Sequence, residues 1–255
     1  MITFTVTPGQ LCYFGDTTVT AGKKYVNEKI LARARTYLPN ERYDTLAVEK
    51  SQRNLYNLNI FSAAVLQPGA PDPLTGVVPM SLELKPKKKK TIKIGVGYGD
   101  EDGLRLKAGW TYRNPRGWAG RLDVEVKRSD LLEKASIGYN QPYFLDSRSA
   151  LQIEAGALRE FLDSYESRNL FGTARYTRDM ERHLNLTAAY LLEYSDLQNL
   201  FLADPIEQTA FREDHSFFIS SMFFELVKNT VDSDTDPRSG FSFGGNVEIA
   251  SSLFG

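Results

Sequence analysis

Between Thr91 and Gly255 the sequence alternates apolar with polar or small residues at a period of two, and no stretch there carries a helical period. Ile92, Ile94, Val96 and Tyr98 fall on one side; Lys93, Gly95 and Gly97 fall on the other. Leu104, Leu106, Ala108, Trp110 and Tyr112 then alternate with Arg105, Lys107, Gly109 and Arg113. The pattern continues through Leu122–Val126, Ala135–Tyr139, Leu151–Ala157, Leu170–Tyr176 and Leu184–Tyr194. Phe217, Ile219 and Phe223 follow as one stripe, then Phe241, Phe243, Val247 and Ile249. The turns NPRG, RSDLLE, LDSR, RDMER and DTDPRSG are hairpin connections, and one long connection runs from about Ser195 to Asp214. The expectation is an antiparallel meander of about nine strands.

The polar side carries full charges: Arg105, Lys107, Arg121, Glu125, Lys127, Glu154, Arg175 and Glu193. A sandwich with one wet face also shows this pattern. These strands, however, reach about ten residues or more, against about five to six in globular proteins. Aromatic residues gather near strand ends, with Trp110, Tyr112 and Trp118 at one turn and Tyr139, Tyr143 and Phe144 at another. Such clusters resemble the interfacial girdles of membrane barrels. No run of 18 apolar residues exists for a transmembrane helix, but a strand needs only about 9–11 residues to cross. A transmembrane barrel and a soluble meander both remain open at this point.

Residues 1–86 differ in kind. ITFTVTPG reads as a strand, with no charged and apolar leader before it. Leu11–Thr20 is extended and ends at Gly22. Val26, Ile30, Ala34 and Leu38 recur at helical spacing up to Pro39. Asp44 or Thr45 can cap a second helix with Val48, Leu55 and Leu58 on one face. Strands follow at Phe61–Leu66 and Val77–Leu84. The order is strand, helix, helix, strand, strand.

The chemistry-bearing residues assemble no catalytic constellation. His183 and His215 have no ligand partners at metal spacing. Asp232, Asp234 and Asp236 imitate the start of a calcium loop, but its sixth position is Pro237 and its twelfth is Phe243, so a polar turn is expected. Gly95, Gly97 and Gly99 lie in or at the end of a strand with no helix after them, which rules out a phosphate loop. Cys12 stands alone and reads as a small strand residue. With 31 basic and 32 acidic residues, no global field favours nucleic acid. No metal, cofactor or enzymatic activity is expected.

Three segments carry a family resemblance. YDTLAVEKSQRNLYNLNIFSAAVL, with Phe61 opening a strand after LYNLNIF, resembles a polypeptide-transport-associated (POTRA) domain. IKIGVGYGDEDGLRLKAGWTYRNPRGWAG resembles the opening hairpins of barrels in the BamA/TamA outer-membrane assembly superfamily. NTVDSDTDPRSGFSF resembles a mid-barrel turn of that superfamily, with Asp236, Pro237 and Gly240 in its pattern. The wording is closest to the TamA branch.

The resemblance implies an α+β POTRA domain of β-α-α-β-β order followed by the N-terminal part of a transmembrane β-barrel, about nine of sixteen strands. Residues 1–9 would end a preceding POTRA domain, 10–86 form a POTRA domain, 87–90 a basic linker and 91–255 the barrel part. The chain would then be cut at both ends. Lys87, Lys88, Lys89 and Lys90 would form a hinge near the membrane, either beside anionic headgroups or simply solvated. Ile92, Ile94, Gly95, Val96, Gly97 and Tyr98 would form a seam strand, its glycines making it easy to peel or avoiding crowding inside the barrel. The implied location is the outer membrane, with the POTRA domain in the periplasm. The implied function is assisting insertion of barrel or autotransporter proteins. The partners would be unfolded outer-membrane clients, the lipid bilayer, and a periplasmic or inner-membrane subunit reached through POTRA domains. An open POTRA strand edge could also receive a client strand. The rival readings are a two-partner-secretion pore, a barrel anchor for a patatin-like lipase, and a soluble β-rich binding protein.

Overall fold

A computed structural model of the chain describes residues 10–162, 165–180, 183–198, 215–232 and 235–251. The expected strand ITFTVTPG and most of the long connection before Asp214 lie outside the described residues. The chain divides into two compact units. The first runs to Lys88 and includes Arg116–Ala119; the second holds Lys89–Pro115 and the chain from Gly120 onward.

The first unit orders its elements as β1 (Tyr13–Ala21), α1 (Glu28–Ala34), α2 (Thr45–Asn57), β2 (Phe61–Pro68) and β3 (Val77–Pro86). Its sheet has the order β1-β3-β2, with β1 parallel and β2 antiparallel to the central strand. In β3, Val78, Met80, Leu82 and Leu84 are buried and Pro79, Glu83 and Lys85 are exposed. One face of the sheet is therefore core and the other faces water. Ile30, Leu31 and Ala34 of α1 and Val48 and Leu55 of α2 complete that core. Pro79 has no N–H to give β1. There β1 places two residues, Gly15 and Asp16, against the single proline. A Cβ on Gly15 would lie 2.9 Å from the Val78 carbonyl oxygen, so the close approach requires glycine.

Asp44 settles the capping question: its side chain accepts from the Leu46 N–H at 2.9 Å, and Thr45 is the first helical residue. The first helix is shorter than its periodicity predicts. It stops at Ala34 because Arg35 turns extended (ψ 140°). The Thr36 N–H then donates to buried Ser51 Oγ at 2.9 Å. Tyr37 swings inward and stacks on Phe14, with ring centroids 4.0 Å apart. Consequently Tyr37 is 3% exposed while Leu38, expected on the apolar face, is 64% exposed. Aromatic stacking against β1 overrides continuation of the helix.

The second unit is a nine-stranded sheet. Its strands are β4 (Lys90–Gly99), β5 (Gly103–Arg113), β6 (Arg121–Arg128), β7 (Leu132–Pro142), β8 (Ser149–Phe161), β9 (Glu166–Met180), β10 (Leu184–Gln198), β11 (His215–Asn229) and β12 (Ser242–Ala250). Each pairs antiparallel with its sequence neighbours, from β4 at one edge to β12 at the other. The registers set Ile94 opposite Ala108, Ala108 opposite Val126, and Val126 opposite Ala135, so the predicted stripes merge into one face. One stripe is corrected. Phe217, Ile219 and Phe223 pair with Ser195, Glu193 and Ala189 and so lie on the charged face. Phe218, Met222, Phe224 and Leu226 are the β11 residues on the apolar face. With apolar residues on both sides, β11 offers no alternation to read.

Candidate functional site

The apolar face of the nine-stranded sheet is the first feature that needs a function. Ile94 is 80% exposed, and Val96, Leu170, Phe224 and Val247 are likewise uncovered. Apolar area of this extent is not left facing water in a stable soluble protein. The stripe also has defined ends. On β9, Arg168 and Arg178 share the face with Leu170, Gly172, Ala174 and Tyr176 between them. Ten residues of strand rise about 33 Å, and a tilt of about 40° leaves about 25 Å, the height of the apolar band on membrane barrels. At the rim where β4 begins, the face carries Trp110 and Tyr112, whose rings lie 5.8 Å apart, and Tyr139.

The opposite face is charged and paired within itself. Glu125 accepts Lys107 at 2.6 Å and Lys127 at 2.8 Å. Arg121 meets Asp123 at 2.6 Å, and Lys134 meets Glu154 at 3.6 Å. Thr111 Oγ1 donates to Asp123 Oδ1 at 2.7 Å. All eight charged residues expected on the polar side share this face. A wet face lined by ion pairs behind an exposed apolar face suits a barrel wall, with water inside and lipid outside.

The strand edges are the second feature. Among the described residues β4 has β5 as its sole partner and β12 has β11, so each presents a row of unpaired backbone groups. All six expected seam residues lie on β4. Ile92, Ile94, Val96 and Tyr98 point to the apolar face and Gly95 and Gly97 to the charged one. A Cβ on Gly95 would approach nothing nearer than Lys107 Cβ at 3.8 Å. Within the described sheet, crowding does not require these glycines.

The division between the two units falls within the run of four lysines. Lys87 and Lys88 belong to the first unit, Lys89 and Lys90 to the second. Lys87 donates through Nζ to Asn59 Oδ1, lies 5.9 Å from the Tyr56 ring, and bonds through its N–H to the Ile60 carbonyl. Lys90 is the first residue of β4, with Nζ 5.7 Å from the Tyr112 ring.

In the β11–β12 turn the organising residue is Asp232, which the family pattern does not include. Its Oδ1 accepts the N–H groups of Arg238 at 2.9 Å and Ser239 at 3.2 Å. These two backbone donors hold its carboxyl below the ordinary range. Asp236 pairs with Arg238 at 3.2 Å, Pro237 follows it, and Gly240 takes a left-handed φ of 97°. A Cβ on Gly240 would lie 2.3 Å from the Thr230 carbonyl oxygen, so this position requires glycine. Asp232 is thereby used as a turn cap; Asp234 lies outside the described residues. Among the described residues no group of acidic, histidine or cysteine side chains is arranged to hold a metal.

The Omp85 superfamily domain matches residues 114–255, more than half of the chain. The crystal structure of BamA from Haemophilus ducreyi lacking POTRA domains 1–3 is similar over 96% of this chain and 49% of that one, at 15% identity and a TM-score of 0.68. CdiB from Acinetobacter baumannii is similar over 94% of this chain and 46% of its own, at 15% identity and a TM-score of 0.62. The chain thus spans about half the length of the solved structures it resembles. No curated protein sequence matches it.

Proposed function

The chain belongs to the Omp85 superfamily, and from that premise we propose that it is part of an outer-membrane factor that helps β-barrel or autotransporter proteins into the membrane. The nine-stranded sheet is the N-terminal part of a barrel of about sixteen strands, its apolar face turned to lipid. The first unit is a periplasmic POTRA domain. The BamA match supports this, because its span takes in most of the first unit in a structure described as lacking POTRA domains 1–3. The lysine run is the junction at the membrane surface.

One observation carries the mechanism. The β4 edge is unpaired among the described residues and contains two glycines that packing does not demand. Such an edge can form backbone hydrogen bonds with an incoming strand and release it again. On the periplasmic side the same chemistry is open only to parts of the β1 and β2 edges, because residues 40–43 bond to β1 at Cys12–Phe14 and Gln52 accepts the Leu66 N–H of β2. Insertion is then a sequence of strand exchanges, with no covalent step and no cofactor. Clients arrive unfolded, and a partner subunit engages the POTRA end.

The test uses the full-length protein in proteoliposomes with an unfolded barrel client. A cysteine at Thr91, at the start of β4, should crosslink to a client strand during assembly. The client should end heat-modifiable and protease-protected in the bilayer. A client delivered through the bilayer into the lumen would identify an exporter instead. Absence of crosslinks at Thr91, with assembly intact, would remove β4 from the mechanism.

A further inference from the structure

At the far rim of the apolar face, away from Lys90, the register brings a row of charges onto the lipid side. Arg128 of β6 lies opposite Glu133 of β7, Glu133 opposite Arg159 of β8, Arg159 opposite Arg168 of β9, and Arg168 opposite Asp196 of β10. Directly beneath them Ala135 faces Ala157 across β7 and β8, between larger Val126 and Leu170. The two alanines leave a hollow of about 730 Å³, lined by Val126, Ala135, Ala157, Leu170 and Tyr194 below the three arginines.

The charges are layered. Each arginine is held through Nε: Arg128 by Glu133 at 3.3 Å, Arg159 by Glu166 at 2.5 Å and Arg168 by the same Glu166 oxygen at 3.0 Å. The Glu166 side chain is only 12% exposed, whereas those of Arg128 and Arg168 are 72% and 48% exposed. The Glu166 carboxylate lies behind, Glu133 is as exposed as Arg159, whose Nη1 it meets at 4.0 Å, and the η nitrogens of Arg128 and Arg168 make no hydrogen bond among the described residues. Asp196 is occupied by Gln198 Nε2 at 2.7 Å. With Glu166 counted, three arginines balance three carboxylates, and the most exposed groups of the set are the Arg128 and Arg168 guanidinium groups.

The geometry points to a binding site for a bisphosphorylated glycolipid of the outer leaflet, its acyl chain in the alanine hollow and its phosphates on Arg128, Arg159 and Arg168. The inference rests on the proposed orientation, with the first unit periplasmic. Guanidinium forks match phosphate oxygens, and a fork fixed at Nε loses little freedom on binding. From β6 to β9 the three arginines span about 14 Å at ordinary strand spacing. A single phosphate cannot reach both ends of that row. A head with two phosphates held apart on a sugar backbone can, which separates this lipid from a glycerophospholipid with one phosphate.

The full-length protein is purified in detergent and titrated by native mass spectrometry with bisphosphorylated lipid A, its monophosphoryl form and phosphatidylglycerol. Bisphosphorylated lipid A should bind at least tenfold more tightly than phosphatidylglycerol, with the monophosphoryl form between them. Arg159→Gln with Arg168→Gln should abolish that preference, while Arg178→Gln at the other rim should leave it intact. Heat-modifiability verifies folding, and Arg168→Gln alone serves if the double variant does not fold. Equal binding of the three lipids, or an unchanged preference in the variant, would overturn the site and leave only annular lipid. Client insertion measured on the same preparation separates the two readings: lipid preference without insertion removes the assembly role, and insertion without lipid preference removes the site.

Discussion

Gly97 lies opposite Arg105 in the β4–β5 register, and a Cβ placed on it would meet nothing nearer than Arg105 Cβ at 3.9 Å. An alanine fits there without displacing anything described. Glycine in a strand interior costs about 0.5–1 kcal/mol relative to alanine. Gly95→Ala with Gly97→Ala should therefore slow hydrogen exchange along β4 and lower client insertion in the same protein. Unchanged insertion with a stiffened β4 would show that the edge need not yield.

Charge placement tests which face meets lipid. Ala174 lies between Arg168 and Arg178 on the apolar face, and neighbouring Thr173 lies on the charged face. Ala174→Arg should destabilise the inserted barrel by about 2–4 kcal/mol, the cost of a cation near the bilayer midplane. Thr173→Arg should cost far less. Folding titrations of full-length protein into lipid vesicles measure both, and equal costs would contradict the assignment of faces.

In the first unit, adjacent residues should behave oppositely. Tyr37 is buried against Phe14, and Leu38 is exposed. Tyr37→Ala should cost about 3–5 kcal/mol, as truncation of a buried aromatic does. Leu38→Ala should fall within about 0.5 kcal/mol of zero. Denaturant-dependent hydrogen exchange at the Ile30 and Leu55 amides reads the two.

The Asp232 turn should respond to acid. Its carboxyl is held low by the N–H groups of Arg238 and Ser239, so the folded pKa lies below the unfolded one. The stabilisation is present above the unfolded value and is lost as pH falls through the folded one. Amide shifts of Arg238 and Ser239 should move together in that acidic window. Asp232→Asn should keep the turn closed and abolish the titration, and Asp232→Ala should open it at every pH.

The sheet was readable because each strand from β4 to β10 has one wet and one apolar side, and a period of two survives in the sequence. It failed at β11, where Phe217–Phe218 and Phe223–Phe224 put aromatic residues on both faces. The first helix was over-extended because Leu38 keeps the helical period while Tyr37 is drawn away by a contact with Phe14, more than twenty positions earlier. The arginine row was invisible for a different reason. Arg159 and Arg168 flank one hairpin turn but Arg128 sits in another, and only the accumulated register across four strands places all three side by side. Asp232 was visible as an acid but not as a cap, because its donors lie six and seven residues ahead.

Neighbour-to-neighbour pairing from β4 to β12 also fixes a chronology. Every hydrogen-bonded pair joins consecutive strands, so the sheet can grow hairpin by hairpin with small loop-closure cost at most steps. The connection between β10 and β11 is the longest in the sheet and carries the largest closure cost, which still grows only slowly with length. β4 is available first and must keep one side vacant for as long as the remaining strands take to arrive. A sticky first strand would capture the wrong neighbour during that wait, so the yielding β4 edge proposed for strand exchange would also protect its own chain while it is being made.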